Sequence, residues 1–275
     1  MKILLFIPMY NCEKQITRVL NQLDDEIQSY LSEVIIVNNR STDNGETVVK
    51  EYLESTKMNV SVSLLRNKEN YGLGGSHKVA FDYAVKNGFD YIIVLHGDDQ
   101  GHINNLLPYL ENHEYEKYDC FLGARFKKGA VLDGYSAFRT FGNRVYNLLF
   151  SIGVHKKIYD LGSGLNMYST EILKDRFYIN YKDNLMFNYC MILGSAYYKH
   201  TIEFFPIRWS EDDQVSNVKM MNQAVIVLKL LGSYMVNKGK FVKEEHRDNT
   251  SFTYEAEVVY TNEVKREKKR NILFI

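Results

Sequence analysis

Five consecutive residues, His96-Gly97-Asp98-Asp99-Gln100, follow the apolar run Tyr91–Leu95. In an extended segment alternate side chains point the same way, so this spacing aims His96, Asp98 and Gln100 to one side. Oxygen donors in that arrangement suit a hard cation such as Mg²⁺ or Mn²⁺, which also bridges to substrate phosphates. Adjacent aspartates also serve to cap a following helix, and Asp99 is assigned that structural role. Three further polar clusters stand directly after apolar runs: Pro8-Met9-Tyr10-Asn11, Asn38-Asn39-Arg40-Ser41-Thr42-Asp43 and Gly123-Ala124-Arg125. A fourth segment, Asn70-Tyr71-Gly72-Leu73-Gly74-Gly75, places glycines where backbone can approach a ligand closely and a helix N-terminus can open toward it.

These clusters need elements to carry them. Short β-rich runs occur at 2–7 (KILLFI), 33–37 (EVIIV), 60–65 (VSVSLL), 91–95 (YIIVL) and 119–122 (DCFL). Helix-length segments separate them at 12–31, 45–55, 75–87 and 103–112. Continuous apolar strands alternating with helical periods predict a mainly parallel central sheet covered by helices on both faces. The expected class is α/β, doubly wound and Rossmann-like. Ligands in such sheets bind beyond the carboxyl ends of the strands, where four of the polar clusters converge on one rim. After Arg125 the spacing of Phe138, Phe141, Val145, Leu148, Leu149 and Ile152 predicts a helix over 139–153. Further helices are expected over 185–194 and 218–236, a strand over 201–207, and a charged tail from Asn237 with a weak period-two segment at 251–260.

In order, IPMYNCEKQI, EVIIVNNRSTDNG, NYGLGGS, VLHGDDQ and LGARF resemble family 2 glycosyltransferases, especially the dolichyl- and polyprenyl-phosphate sugar synthase branch. The resemblance runs from Lys2 to about Lys219 and implies a GT-A fold with a C-terminal helical extension. It divides the chain into a catalytic domain at 1–219, with a donor half (1–125) and an acceptor half (126–219), and a helix and tail at 220–275. It also implies transfer of a sugar from a nucleotide-sugar with help from a divalent metal. The family's Asp-X-Asp positions fall on His96 and Asp98, with Gln100 two residues on. The histidine leaves three uses open: metal ligand, nucleotide contact, or neither. Pro8, Tyr10 and Asn38-Asn39 match base-binding positions, with Asn70 and Gly74 in the loop beside them. The family carries Asp-Asp where this chain has Asn38-Asn39; a carboxamide donates as well as accepts, so UDP and GDP both stay open. Arg125 matches an arginine placed to clamp phosphate bidentately.

For the acceptor half the resemblance implies roles for Asp160 within DLGSG, for Arg139 toward an acceptor phosphate, for the segment Glu203–Ile207, and for Lys219 in a loop over the diphosphate. Transfer to a saccharide hydroxyl needs a base, for which Asp212, Asp213 and Asp160 are the candidates. A polyprenyl phosphate is already an ionised nucleophile and needs none. The lipid acceptor would also give the helices at 139–153 and 224–236 a membrane surface to lie on, and Lys265–Arg270 a juxtamembrane place. Lysine plus arginine equals aspartate plus glutamate at 34 each, so no basic excess supports a nucleic-acid partner. The odd, scattered cysteines Cys12, Cys120 and Cys190 fit a reducing cytoplasmic compartment, at the inner face of a membrane if the acceptor is a lipid. The competing classes are a nucleotidyltransferase, which would carry a glycine-rich loop after the first strand where this chain has PMYNCEKQ, and a nucleotide-binding protein that has lost catalysis.

Overall fold

A computed structural model describes residues 1–211 and 220–262, the side chains of 220–224 excepted. The elements run β1 (Ile3–Met9), α1 (Glu13–Asn21), α2 (Asp25–Tyr30), β2 (Glu33–Asn38), α3 (Gly45–Ser55), β3 (Ser61–Asn67), α4 (Gly72–Lys86), β4 (Tyr91–Leu95), α5 (Leu107–Glu111) and β5 (Cys120–Ala124). There follow β6 (Val131–Asp133), α6 (Ala137–Val154), β7 (Leu165–Ser169), α7 (Phe187–Tyr197), β8 (Ile202–Pro206), β9 (Arg208–Ser210), α8 (Met220–Val236), α9 (Lys238–Lys243) and β10 (Ala256–Asn262).

Eight strands form one sheet in the order β10-β3-β2-β1-β4-β7-β5-β8. The four at its centre and left, β3, β2, β1 and β4, are parallel, as expected for strands joined by helical crossovers. Every residue of β1 is buried, and the strand's period of two sorts them between faces. Leu4 and Phe6 join one core with Val79, Ala80 and Phe81 of α4 and Leu193 of α7. Leu5 and Ile7 join the other with Ile16, Val19 and Leu20 of α1 and Val49 of α3. The sheet is therefore covered on both sides, as expected of the doubly wound α/β class.

The details differ from the sequence expectation at four places. The helix expected over 12–31 is two helices, because Asp24 caps a second start by accepting Ile27 N at 2.9 Å. The segment 103–112 holds a 3₁₀ turn and the short α5. Leu165–Ser169, where no strand was expected, is β7, antiparallel to both β4 and β5. The period-two tail segment is β10, antiparallel to β3 on the sheet's edge. Arg66–Glu257 at 2.7 Å and the pair Lys68–Glu255 lie across that edge. The last described stretch is thus part of the main sheet rather than only a helical extension with a tail. The basic segment 265–270 lies outside the described residues.

Candidate active site

An open cleft of about 330 Å³ lies where β1, β2 and β4 end and α4 begins. Pro8, Tyr10, Asn39, Asn70, His96 and Asp98, six of the predicted site residues, all line it. Tyr10 stands half-exposed at the lip, while Pro8 is buried in the wall. The floor is made by a close crossing: Gly97 N donates to Pro8 O at 3.1 Å, and a Cβ on Gly97 would stand 2.9 Å from that oxygen. Only glycine lets the end of β4 lie so near the end of β1.

Asn39 organises one side of the cleft. Its Oδ1 accepts from Asn67 Nδ2 and from Tyr71 N, both at 2.9 Å, and its Nδ2 donates to Asn70 Oδ1 at 2.8 Å. A carboxylate has no N–H to give Asn70, so the amide is used in both directions. Asn38 likewise donates to Glu46 at 2.6 Å and accepts from Ser41 N at 2.8 Å. Both asparagines build the turns, and Asn39 also faces the cleft.

On the opposite side Asp98 is held by one long hydrogen bond, Gln100 N to Oδ1 at 3.3 Å. Burial pushes its carboxyl up to about 6, because nearby charge does not repay the lost hydration of the ion. His96 N donates to Gly164 O at 2.8 Å, and a Cβ on Gly164 would press within 3.1 Å of the imidazole. Burial first, and the positive Arg125 second, lower the His96 ring to about 4, so it is neutral at physiological pH. Its Nε2 is sealed from solvent and has no hydrogen-bond partner. A half-buried, under-compensated carboxylate and an orphaned imidazole nitrogen on one cleft fit a divalent cation. Among the described residues no cluster of three or more His, Cys, Asp and Glu side chains is present. A cation there would take its remaining ligands from phosphate and water, as Mg²⁺ and Mn²⁺ sites built on one or two protein groups do.

Several predicted residues stand elsewhere. The chain after β4 turns instead of staying extended: Asp99 takes a left-handed conformation (φ 61°) and sends its carboxylate to Arg18 at 2.6 Å and Gln22 at 2.9 Å. Gln100 follows that turn with its carbonyl accepting from Ser210 N, so the three-in-line alternation is not formed and the cleft lining holds His96 and Asp98. Gly74 serves packing rather than a ligand. Its N–H donates to Asp183 O at 2.7 Å, and a Cβ would collide with Lys182 O at 2.5 Å and Phe187 at 2.7 Å. Arg125 spends its fork on Asp160, with Nε to Oδ2 and Nη2 to Oδ1 both at 2.8 Å, beneath the Trp209 ring at 4.9 Å. Asp160 is 2% exposed and also accepts from the backbone N–H groups of Arg125 and Gly162. A carboxylate so fully engaged is a counter-ion, with its oxygens already taken by four donor contacts. Arg139 pairs with Glu211 and lies 4.4 Å over the Tyr135 ring. Asp212, Asp213 and Lys219 lie outside the described residues.

Two cleft residues, Asn184 and Leu185, had no signal in the sequence, standing about a hundred positions from the other walls. A buried charge brings them in. Lys78 Nζ, wholly inaccessible, donates to Asp183 Oδ1 and Tyr181 O at 2.7 Å and to Tyr254 OH at 3.1 Å. That network pins the 181–185 loop against α4 and ties the approach to β10 to the same point. The three thiols are free and buried, and burial pushes Cys12, beside Asp98 and Asp43, up to about 12. It is a packing residue, not a nucleophile.

Below the cleft, His77 sits in a cage of Phe6, Phe81 and Phe187 at centroid distances of 5.3, 5.8 and 5.2 Å, with Nδ1 on Leu73 O. Burial lowers it to about 3. An unfolded histidine binds a proton near pH 6.5, whereas His77 and His96 in the fold do so only near 3 and 4. The unfolded chain therefore gains protons first, and stability is lost as pH falls through this window. Asp98, raised to about 6, opposes part of the loss between pH 6 and its ordinary value. The expected outcome is a melting temperature that drops by roughly 5–10 °C between pH 7 and 4, with a clearly shallower drop in His77→Phe. Parallel pH profiles of the two proteins in thermal melts would refute it.

Residues 5–177 match Glycosyl transferase family 2. An uncharacterized protein of Methanocaldococcus jannaschii is 29% identical over 176 residues, spanning 62% of this chain and 72% of that protein. Among solved structures, S. aureus TarS 1–349 in complex with UDP-GlcNAc aligns over 86% of this chain and 67% of its own, at 20% identity and TM-score 0.56. The TarS 1–349 structure without that ligand is spanned by this chain over only 66% of its length. Glucosyl-3-phosphoglycerate synthase from Mycobacterium tuberculosis, in complex with Mn²⁺, UDP and glucosyl-3-phosphoglycerate, aligns over 86% of this chain and 79% of its own, at 12% identity and TM-score 0.56. At these identities the structures speak for the fold, while the match over 5–177 speaks for the family. The chain belongs to glycosyl transferase family 2.

Proposed function

We propose that this glycosyltransferase moves a sugar from a nucleoside-diphosphate sugar, with inversion, using a divalent cation, Mg²⁺ or Mn²⁺, held at Asp98. The observation that carries the reading is a half-buried, under-compensated carboxylate facing an open cleft at the strand ends. When bound, such a cation neutralises the charge that builds on the departing diphosphate. The chain's own residues do the rest. Pro8 and Tyr10 flank the base, Asn39 and Asn70 set the turn it rests on, and neutral His96 offers Nε2 toward the cation or the phosphates. UDP is favoured over GDP because UDP is the nucleotide in the complexes of both structural neighbours.

The acceptor is a polyprenyl phosphate or a saccharide of a cell-surface glycan, reached from the cytoplasmic face of a membrane. Asp160 is committed to Arg125, so a hydroxyl acceptor would draw its base from Asp212 or Asp213; a lipid phosphate would need no base. A panel of UDP, GDP and their sugars with Mg²⁺, Mn²⁺ or chelator tests the donor half. A saturating true donor with metal should raise the melting temperature by several degrees, since about 100-fold excess over Kd adds about 2.7 kcal/mol. No metal-dependent shift with any nucleotide would overturn the reading.

A further inference from the structure

Helix α6 presents five large apolar side chains to solvent in one stripe: Phe138 (72% exposed), Phe141 (68%), Val145, Leu148 (61%) and Ile152 (54%). Their spacing of three, four, three and four places them along about 21 Å of a single face. Single exposed apolar residues are ordinary, whereas a contiguous row is not. Helix α8 packs beside it: a Cβ on Gly153 would stand 2.8 Å from Leu231 and 3.5 Å from Met235. Val225, Leu228 and Met235 of α8 are exposed in their turn, while Val227, Leu230, Leu231 and Tyr234 face the core. Neither helix is long and apolar enough to cross a membrane.

Charge says what this face is for. The chain carries 34 acidic residues in 275, yet none stands between Asp133 and Asp160 or between Asp213 and Glu244. Both helices and the segments that follow them lie within those acid-free stretches. Arg144, Lys156, Lys157, Lys229 and Lys240 within them are exposed. In a protein of zero formal net charge, this is local segregation of cations around an apolar stripe. A spacing of three and four also suits a two-helix seam with a second copy. That seam would bring together cationic flanks on helices that carry no acidic residue of their own, the reverse of what stabilises such pairs.

We infer that the α6–α8 face seats on an anionic phospholipid bilayer, with the apolar stripe at the acyl boundary and the basic residues at the headgroups. This goes beyond the donor reading and stands apart from it, because lipid binding needs neither nucleotide nor metal. Co-flotation of the full chain with phosphatidylglycerol-containing and pure phosphatidylcholine vesicles tests it, at low and at 0.5 M salt, alongside Leu148→Glu/Ile152→Glu and Lys156→Glu/Lys157→Glu. Melting temperature in each variant confirms an intact fold, since all four positions are exposed. The expected result is binding to the anionic vesicles that falls at least tenfold in the apolar double variant. It should weaken severalfold in the charge variant and in high salt, and be slight on phosphatidylcholine. Binding to neither vesicle, or equal binding by wild type and the apolar variant, overturns the inference. So does a wild-type dimer in lipid-free solution that the apolar variant converts to monomer, which would assign the stripe to a second copy.

Discussion

Asp98→Asn should abolish the metal-dependent thermal shift by UDP and its sugars and lower transfer by about 10³-fold, the scale of removing one charge-stabilising group from a reacting centre. The substitution keeps the shape of the side chain and its acceptor for Gln100 N, and it removes the charge. The apo protein should be no less stable than wild type, because burial already disfavours that carboxylate in its ionised form. Loss of ligand response without loss of folding separates a cation anchor from a turn-capping aspartate, whose replacement would lower the melting temperature and leave ligand response intact. Melts with and without Mn²⁺ and UDP, followed by a radiolabelled-sugar transfer assay, read both quantities. Unchanged turnover in the variant removes Asp98 from the role.

Asp160→Asn should destabilise the fold by about 3–5 kcal/mol, the usual cost of leaving one partner of a buried ion pair uncompensated. On a chain of this size that is on the order of 10 °C in melting temperature. The reason is the arrangement around Arg125, whose guanidinium lies beneath Trp209 with Asp160 as its bidentate counter-charge. Were Asp160 the catalytic base, the variant would melt like wild type and lose turnover. With Asp160 as counter-ion, turnover per folded molecule at low temperature stays within about tenfold while the melt shifts. Asp160→Asn/Arg125→Met, which removes the stranded charge, should recover a substantial part of the lost stability, as apolar replacement of buried pairs does elsewhere.

The rim that carries the cleft was legible before any coordinate because its determinants are local. A run such as ILLFIP is apolar on both faces, the next run is too, and helices of fixed length lie between them. That pattern leaves a covered parallel sheet with polar residues at its strand ends. Pro8 stands at the end of a strand, and Tyr10, Asn39, Asn70 and Asp98 each follow one within a few positions, so reading the strand was enough to place the residue. Charges resisted this reading, because a guanidinium or ammonium takes whichever partner the packed fold brings near. Arg125 matched a phosphate clamp by position, yet Asp160, thirty-five residues on, reaches it first. Lys78, on α4, is sealed under a loop a hundred residues away and sets one wall of the cleft. The turn at Asp99 is of the same kind: alternation holds only while the chain stays extended, and Arg18 of α1 and Gln22 just past its end decide that it does not. Local periodicity, then, determined the sheet and its rim, whereas long-range pairing of buried charge decided which polar residues remain open to a ligand.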